Sequence, residues 1–319
     1  MTEFAAFRER IIAICGEHPY YTYNHLIIQG REDFPEIFVK YGYRSCQLHA
    51  EARTQKYVHN LAQSDPTAPC VPEILDVFED DHGRVYVVKE LITEPKLDAW
   101  LKSAISADVR CHTEAVKKVA AAISWLHACP RPSDTRIGPV GGGVIQHCIF
   151  GRFREAPIVF AHAAALQAYI NEALSRAPPG GRCTVNISAE PLLLCASEIT
   201  PDNFYLDRTT GKVGMLSFGH VSFVPESLAS LALSPTRSTF VEEVSRLVSL
   251  PTDKRNVLGG AGMLIVMLGA RNLDMDEHGR KRSRTRRSRR SRKSAVARAT
   301  VPSSDTVPKI RSPLASSWV

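Results

Sequence analysis

The chain has 319 residues, 44% of them hydrophobic, and a formal net charge of +7, which allows one large core or two modest lobes sharing a cleft. From Arg280 to the end it carries 13 Lys/Arg against one acid, Asp305, while residues 1–279 hold 27 basic and 32 acidic residues; the part able to fold is therefore mildly acidic and has no nucleic-acid footprint of its own. The eight cysteines form no Cys-x-x-Cys pair, which argues against a zinc knuckle or finger and predicts reduced thiols of an intracellular protein.

Phe4, Phe7, Ile11, Ile12 and Cys15 recur at helical spacing, so an amphipathic helix is predicted over 4–15. The charges of this opening segment leave no room for the apolar run of an export signal. Two extended runs, 21–29 and 36–41, flank the polar turn Gly30-Arg31-Glu32-Asp33 and read as a hairpin. Residues 47–63 contain neither Pro nor Gly and read as a helix stopped by Ser64-Asp65-Pro66. Strands are predicted at 73–78 and 84–91, around the turn at 79–83. Beyond Thr93-Glu94-Pro95 the pattern becomes helical, at 107–129 and 160–177, with short strands at 192–195, 204–206 and 213–218, then helices at 240–250 and 256–269. The apolar stretch 257–270 is too short and too rich in glycine to span a bilayer. Low-complexity Arg/Ser sequence follows, with ten Arg/Lys in the fourteen residues 280–293. Such a run repels itself and is expected to be disordered.

Lys40 lies in the apolar strand Phe38-Val39-Lys40-Tyr41, and Glu51 follows eleven residues later on the next predicted helix. Alone, these read better as an ordinary strand lysine and a surface helix acid. In kinase chemistry the same pair has a purpose: the ammonium neutralises phosphate oxygens and the carboxylate fixes its direction. A second pattern runs Cys195-Ala196-Ser197-Glu198-Ile199-Thr200-Pro201-Asp202-Asn203-Phe204, followed by Met215-Leu216-Ser217-Phe218-Gly219. Gly138–Gly143 fits neither a Walker A loop nor a dinucleotide fingerprint and reads as a pliant loop. His147, His162 and His220 are scattered and read as structural, and Trp100 and Trp125 as core packing.

In these motifs the chain resembles the aminoglycoside phosphotransferase and choline kinase-like superfamily. It is similar in particular to a fungal group that reads His-Ser-Asp-Ile-x-Pro-Asp-Asn-Phe and then Ile-Asp-Phe-x-His. Glu-Ala-Arg-Thr-Gln at 51–55, Gly-Pro-Val-Gly-Gly-Gly at 138–143 and Pro-Glu-Ser at 225–227 match the same group. The resemblance spans roughly residues 38–277. It implies a two-lobed, protein-kinase-like α+β fold: an N-lobe over 1–92 with an antiparallel sheet and one helix, a mainly helical C-lobe over 93–278, and a basic tail over 279–319. It also implies ATP and Mg²⁺ as cofactors and a small hydroxylated molecule as acceptor.

Carried over by position, Lys40 and Glu51 fall on the nucleotide-anchoring ion pair and Asn203 on a metal-holding amide, all intact. The family's catalytic-loop His is Ala196 here, its general-base Asp is Glu198, and its metal-binding Asp is Ser217. A carboxylate longer by one methylene is displaced by about 1 Å, which can cost about 100-fold in rate. A neutral hydroxyl cannot replace an anionic metal ligand. The expectation is thus a pseudokinase with residual nucleotide binding; a working ATP-dependent kinase is the alternative. A third reading makes the protein nucleic-acid-associated through its tail, whose basic run could contact polyanions or import receptors. The expected location is cytoplasmic, or nuclear through residues 280–293, with no membrane partner.

Overall fold

The computed structural model describes residues 3–17, 23–30, 35–104, 109–207, 209–269 and 273–282. Most of the predicted Arg/Ser tail, and the first hairpin's turn at 31–34, lie outside these residues. Helix α1 (Glu3–Gly16) precedes strands β1 (Tyr23–Ile28) and β2 (Ile37–Gly42), helix α2 (Ser45–Gln63), and strands β3 (Ile74–Glu79) and β4 (Val85–Glu90). The four strands form one antiparallel sheet in the order β1-β2-β4-β3.

The two-residue period of the strands separates the faces of this sheet. Val39, Tyr41, Tyr86 and Val88 point to the side covered by Ile11 and Cys15 of α1. Val85 and Val87 point to the other side, against Leu48 and Ala52 of α2. Lys40 pairs with Val87 in register, and Lys89 lies two residues further along β4, so both lysines project from the face that α2 covers.

The second half begins with α3 (Leu97–Ala104) and α4 (Val109–Ala128), then α5 (Ala163–Ser175), β5 (Leu192–Ala196), β6 (Phe204–Leu206), β7 (Val213–Met215), β8 (Val221–Pro225), α6 (Glu226–Ala232), α7 (Thr239–Ser245) and α8 (Arg255–Leu268). Strand β5 pairs with β8, and β6 with β7. The sequence predicts a single strand over 213–218, whereas the chain turns after Met215 and resumes as β8, joining a different sheet. Leu126, Leu194, Phe204, Phe218 and Phe223 share a core with Val58 of α2, which seats that helix on the second half. Trp100 and Trp125 pack against this core as expected, and Trp125 Nε1 also donates to Asp65 Oδ2 at 2.8 Å. The structure therefore has the two-lobed α+β arrangement: sheet and α2 first, helices and two short ribbons after residues 91–96. Among the described residues no helix is long and apolar enough to cross a membrane.

Candidate functional site

Lys40 Nζ donates to Glu51 Oε2 at 2.6 Å. Glu51 is 5% exposed, and its second oxygen, Oε1, accepts from Lys89 Nζ at 3.1 Å. Lys89, 4% exposed, also donates to Gln55 Oε1 at 2.8 Å, and Gln55 Nε2 in turn donates to the carbonyl of Pro72 at 2.7 Å. One buried carboxylate is therefore shared by two ammonium groups. Burial alone would push the Glu51 carboxyl up, but Lys40 and then Lys89 overcome it and hold it at about 2. Burial pulls Lys89 down from its ordinary value, with Glu51 opposing.

The remaining residues of the Glu-Ala-Arg-Thr-Gln motif are also engaged. Arg53 donates to the carbonyls of Val140 at 3.2 Å and Gly142 at 3.0 Å, and Thr54 Oγ1 accepts from Val140 N–H at 3.2 Å. Gly138 exchanges two backbone hydrogen bonds with Phe223 of β8. The glycine loop, read from sequence as pliant, is thus fastened to α2 on one side and to β8 on the other. Its glycines are required by conformation, since Gly141 has φ 72° and a Cβ there would sit 2.7 Å from Arg53 Nε.

Ser217-Phe218-Gly219 comes directly beneath the ion pair: a Cβ on Gly219 would lie 2.9 Å from Glu51 Oε2 and 3.8 Å from Lys40 Nζ. Two of the sequence-predicted residues, Lys40 and Glu51, are thus brought together, with Gly219, two residues after Ser217, beside them. Phe218 is buried in the core below, and Ser217 is half-buried.

Ala196 ends β5, opposite Val221, and is buried. Glu198 follows on the loop, with Oε2 2.6 Å from His220 Nδ1 and Oε1 2.9 Å from Arg154 Nη2. Its carboxyl is lowered chiefly by the His220 hydrogen bond, against burial, with further help from the charges of His220 and Arg154. Arg154 adopts φ 55°, uncommon for a residue other than glycine, and also donates to the carbonyl of Ser197 at 3.2 Å. Asn203 Nδ2 donates to the Glu198 carbonyl at 2.9 Å, which closes the loop on itself.

Sequence reasoning missed Lys89 and Arg154, and it read His220 as merely structural. His147 and His162 do have structural roles, as N-caps that accept from the backbone N–H groups of Ile149 and Ala165.

Mg²⁺ does not fit these donors. Ser217 is neutral, Asn203 offers only one neutral amide oxygen because its N–H₂ donates to the loop, and the Glu198 carboxylate faces a guanidinium and an imidazole. A hard cation needs several oxygen ligands with net negative charge. Among the described residues no group of three or more His, Cys, Asp or Glu side chains could hold a metal ion. Lys40 keeps 24% of its side chain exposed and can meet a phosphate, whereas Lys89 is buried against Glu51 and Gln55 and acts only by offsetting the charge of Glu51.

No protein-family model matches the chain, and no curated protein sequence matches it. Among solved structures it is similar to a thermostable mutant of aminoglycoside phosphotransferase APH(4)-Ia in ternary complex with ADP and hygromycin B, at 13% identity over 84% of this chain and 88% of that one, TM-score 0.47. It is also similar to the GDP complex of wild-type aminoglycoside 2'-phosphotransferase-IIIa, at 11% identity over 83% and 88% of the two chains, TM-score 0.43. Likeness this distant says nothing of chemistry, which has to come from the residues themselves.

Proposed function

We propose that the protein is a kinase-like domain, with lobes over 1–92 and 93–278, that binds a nucleotide through Lys40 without needing a metal ion and transfers phosphate weakly or not at all. The observation that carries this reading is the charge balance under the sheet. Two lysines face one carboxylate, and the position that would bring Mg²⁺ to the phosphates is a serine. A metal ion normally neutralises the repulsion between transferring oxygens; here Lys40 supplies the charge that holds the phosphates, while the buried Lys89 offsets Glu51 beneath it. Glu198 supports the same reading. A general base must reach the acceptor hydroxyl and take its proton, and a carboxylate gripped by Arg154 and His220 is a weak base aimed elsewhere.

Thermal unfolding with ADP or ATP, in EDTA and in Mg²⁺, tests the reading. Ligand at 100 times its Kd stabilises by about 2.7 kcal/mol. The expected outcome is the same upward shift in both buffers, abolished by Lys40→Met. No shift at millimolar nucleotide, or a shift that requires Mg²⁺ and comes with ADP formation from ATP, would refute it; the second outcome would make the protein a working kinase.

A further inference from the structure

Helix α8, the short turn at 148–150 and the segment after α6 line an open pocket of about 540 Å³ in the helical half, within the range of roughly 300–1,000 Å³ common for small-molecule pockets. Ile149, Leu231 and Leu258 form its apolar floor. Met263 and Met267 line it from α8 while remaining 68% and 78% exposed, an arrangement that leaves soft, adaptable side chains at the mouth. Glycine keeps the space open: a Cβ on Gly259, one of the lining residues, would meet nothing within 4 Å.

The charge of the lining is one-sided. Arg237 and Arg255 are its charged residues, with no acid among them, and neither makes a salt bridge to a carboxylate among the described residues. Arg255 is aimed by a fully buried partner, its Nε donating to Ser230 Oγ at 2.7 Å. A half-buried guanidinium held in one direction without an acid is a ready receptor for an anion. A polycation would meet two positive charges and no compensating group.

We infer that this pocket binds a small amphipathic anion, its charged head at Arg255 and Arg237 and its unbranched apolar body along the α8 wall beside Met263. No residue of the lining belongs to the Lys40–Glu51–Lys89 cluster, so the site is separate from nucleotide binding and can be tested without nucleotide. The pocket wall is continuous with the loop that grips Glu198, since Arg154 N–H donates to the Gly151 carbonyl at 3.1 Å.

Calorimetric titration of the full chain with decanoate, decanol and decyltrimethylammonium at low salt is the test. Decanoate should bind at one site and the other two should not. Arg237→Met combined with Arg255→Met should weaken decanoate about 10-fold or more, the scale of a lost charged hydrogen bond. Gly259→Leu should abolish binding while preserving the fold, because leucine is the better helix former and the space it fills is empty. Failure of decanoate to bind, equal binding of the alcohol or the cation, or unchanged affinity in either variant would overturn the inference. So would binding to anionic vesicles that survives Gly259→Leu, which would make the α8 face a membrane contact.

Discussion

The two ionic clusters of this protein differ in depth, and depth decides what each can lose. Glu51 and Lys89 are all but sealed from solvent, so the carboxylate that fixes Lys40 also neutralises a buried ammonium. Glu198, Arg154 and His220 keep 29%, 21% and 31% of their side chains exposed, and water can take over from any of them. A buried charge cannot be removed without stranding its partner, whereas a half-exposed one can be exchanged at little structural cost. The deep cluster is therefore the one whose charges the fold depends on, and the shallow cluster the one that can vary without cost to the fold.

The sharpest way to break this comparison is Glu51→Gln. It removes the carboxylate that Lys40 and Lys89 share, and we expect a loss of about 3–5 kcal/mol in urea unfolding at neutral pH. Acid should act similarly on the unaltered protein. The Glu51 carboxyl is held at about 2 against an ordinary 4.5, so its contribution is complete above about pH 4.5 and is lost as pH falls through about 2. At roughly 1.36 kcal/mol per unit this amounts to about 3 kcal/mol. The variant should lack that part of the acid limb. A loss below about 1 kcal/mol would mean that the cluster is dispensable and that depth is not what protects it.

The opposite experiment tests the proposed lack of a metal ligand. Ser217→Asp together with Glu198→Asp should give a stabilisation by ADP that depends on Mg²⁺, and ATP turnover at least about 100-fold above the unaltered protein in a coupled assay. Glu198→Asp alone should gain nothing, because the metal still lacks its anionic ligand. If the double variant stays inert while binding the metal, the lobes are not set for transfer and the absence of a carboxylate at 217 does not by itself account for inactivity.

Legibility in the sequence followed the same division. Lys40 and Glu51 could be read because a strand lysine and a helix acid each stand on a periodic element, and eleven residues fix which faces meet. Lys89 stands on a strand too, but it closes the apolar run Val85–Val88, and only the strand order β1-β2-β4-β3 puts β4 beside β2. Topology, absent from local pattern, makes it the second partner of Glu51. Arg154 was beyond reach because it projects from an irregular turn at φ 55°, where spacing carries no directional information. The chain's reversal between β7 and β8 was hidden in the apolar stretch 213–218, although Gly219 just beyond it marked the break.

The glycine loop offers an intermediate effect. Gly141→Ala forces a side chain onto φ 72° and against Arg53, whereas Gly142→Ala meets only the backbone penalty, since nothing lies within 4 Å of its Cβ. Each should lose about 1 kcal/mol from the left-handed conformation. Gly141→Ala should lose about as much again, because Arg53 must leave the Val140 and Gly142 carbonyls, and differential scanning calorimetry will resolve the difference. Equal losses would show that the Arg53 clamp contributes nothing to seating α2.

The smallest effect belongs to His220→Ala, and its size is what separates the two clusters. His220 and Glu198 are 2.6 Å apart, as close as Lys40 and Glu51, yet the pair is open to water, and exposed or half-exposed ion pairs are worth about 0–1 kcal/mol. The lowered Glu198 carboxyl contributes stability above its unfolded value that is lost as pH falls, so the variant should be slightly weaker at neutral pH and indistinguishable from the unaltered protein in strong acid. The carboxyl itself should move up toward the ordinary glutamate value, since its largest lowering cause is gone. A ¹³C-detected titration of Glu198 reads that shift directly. If the carboxyl stays low without His220, then the charges of Arg154 and Arg237 suffice to hold it down and the imidazole is only a neighbour; if unfolding changes by as much as in Glu51→Gln, distance rather than depth governs what these charges are worth.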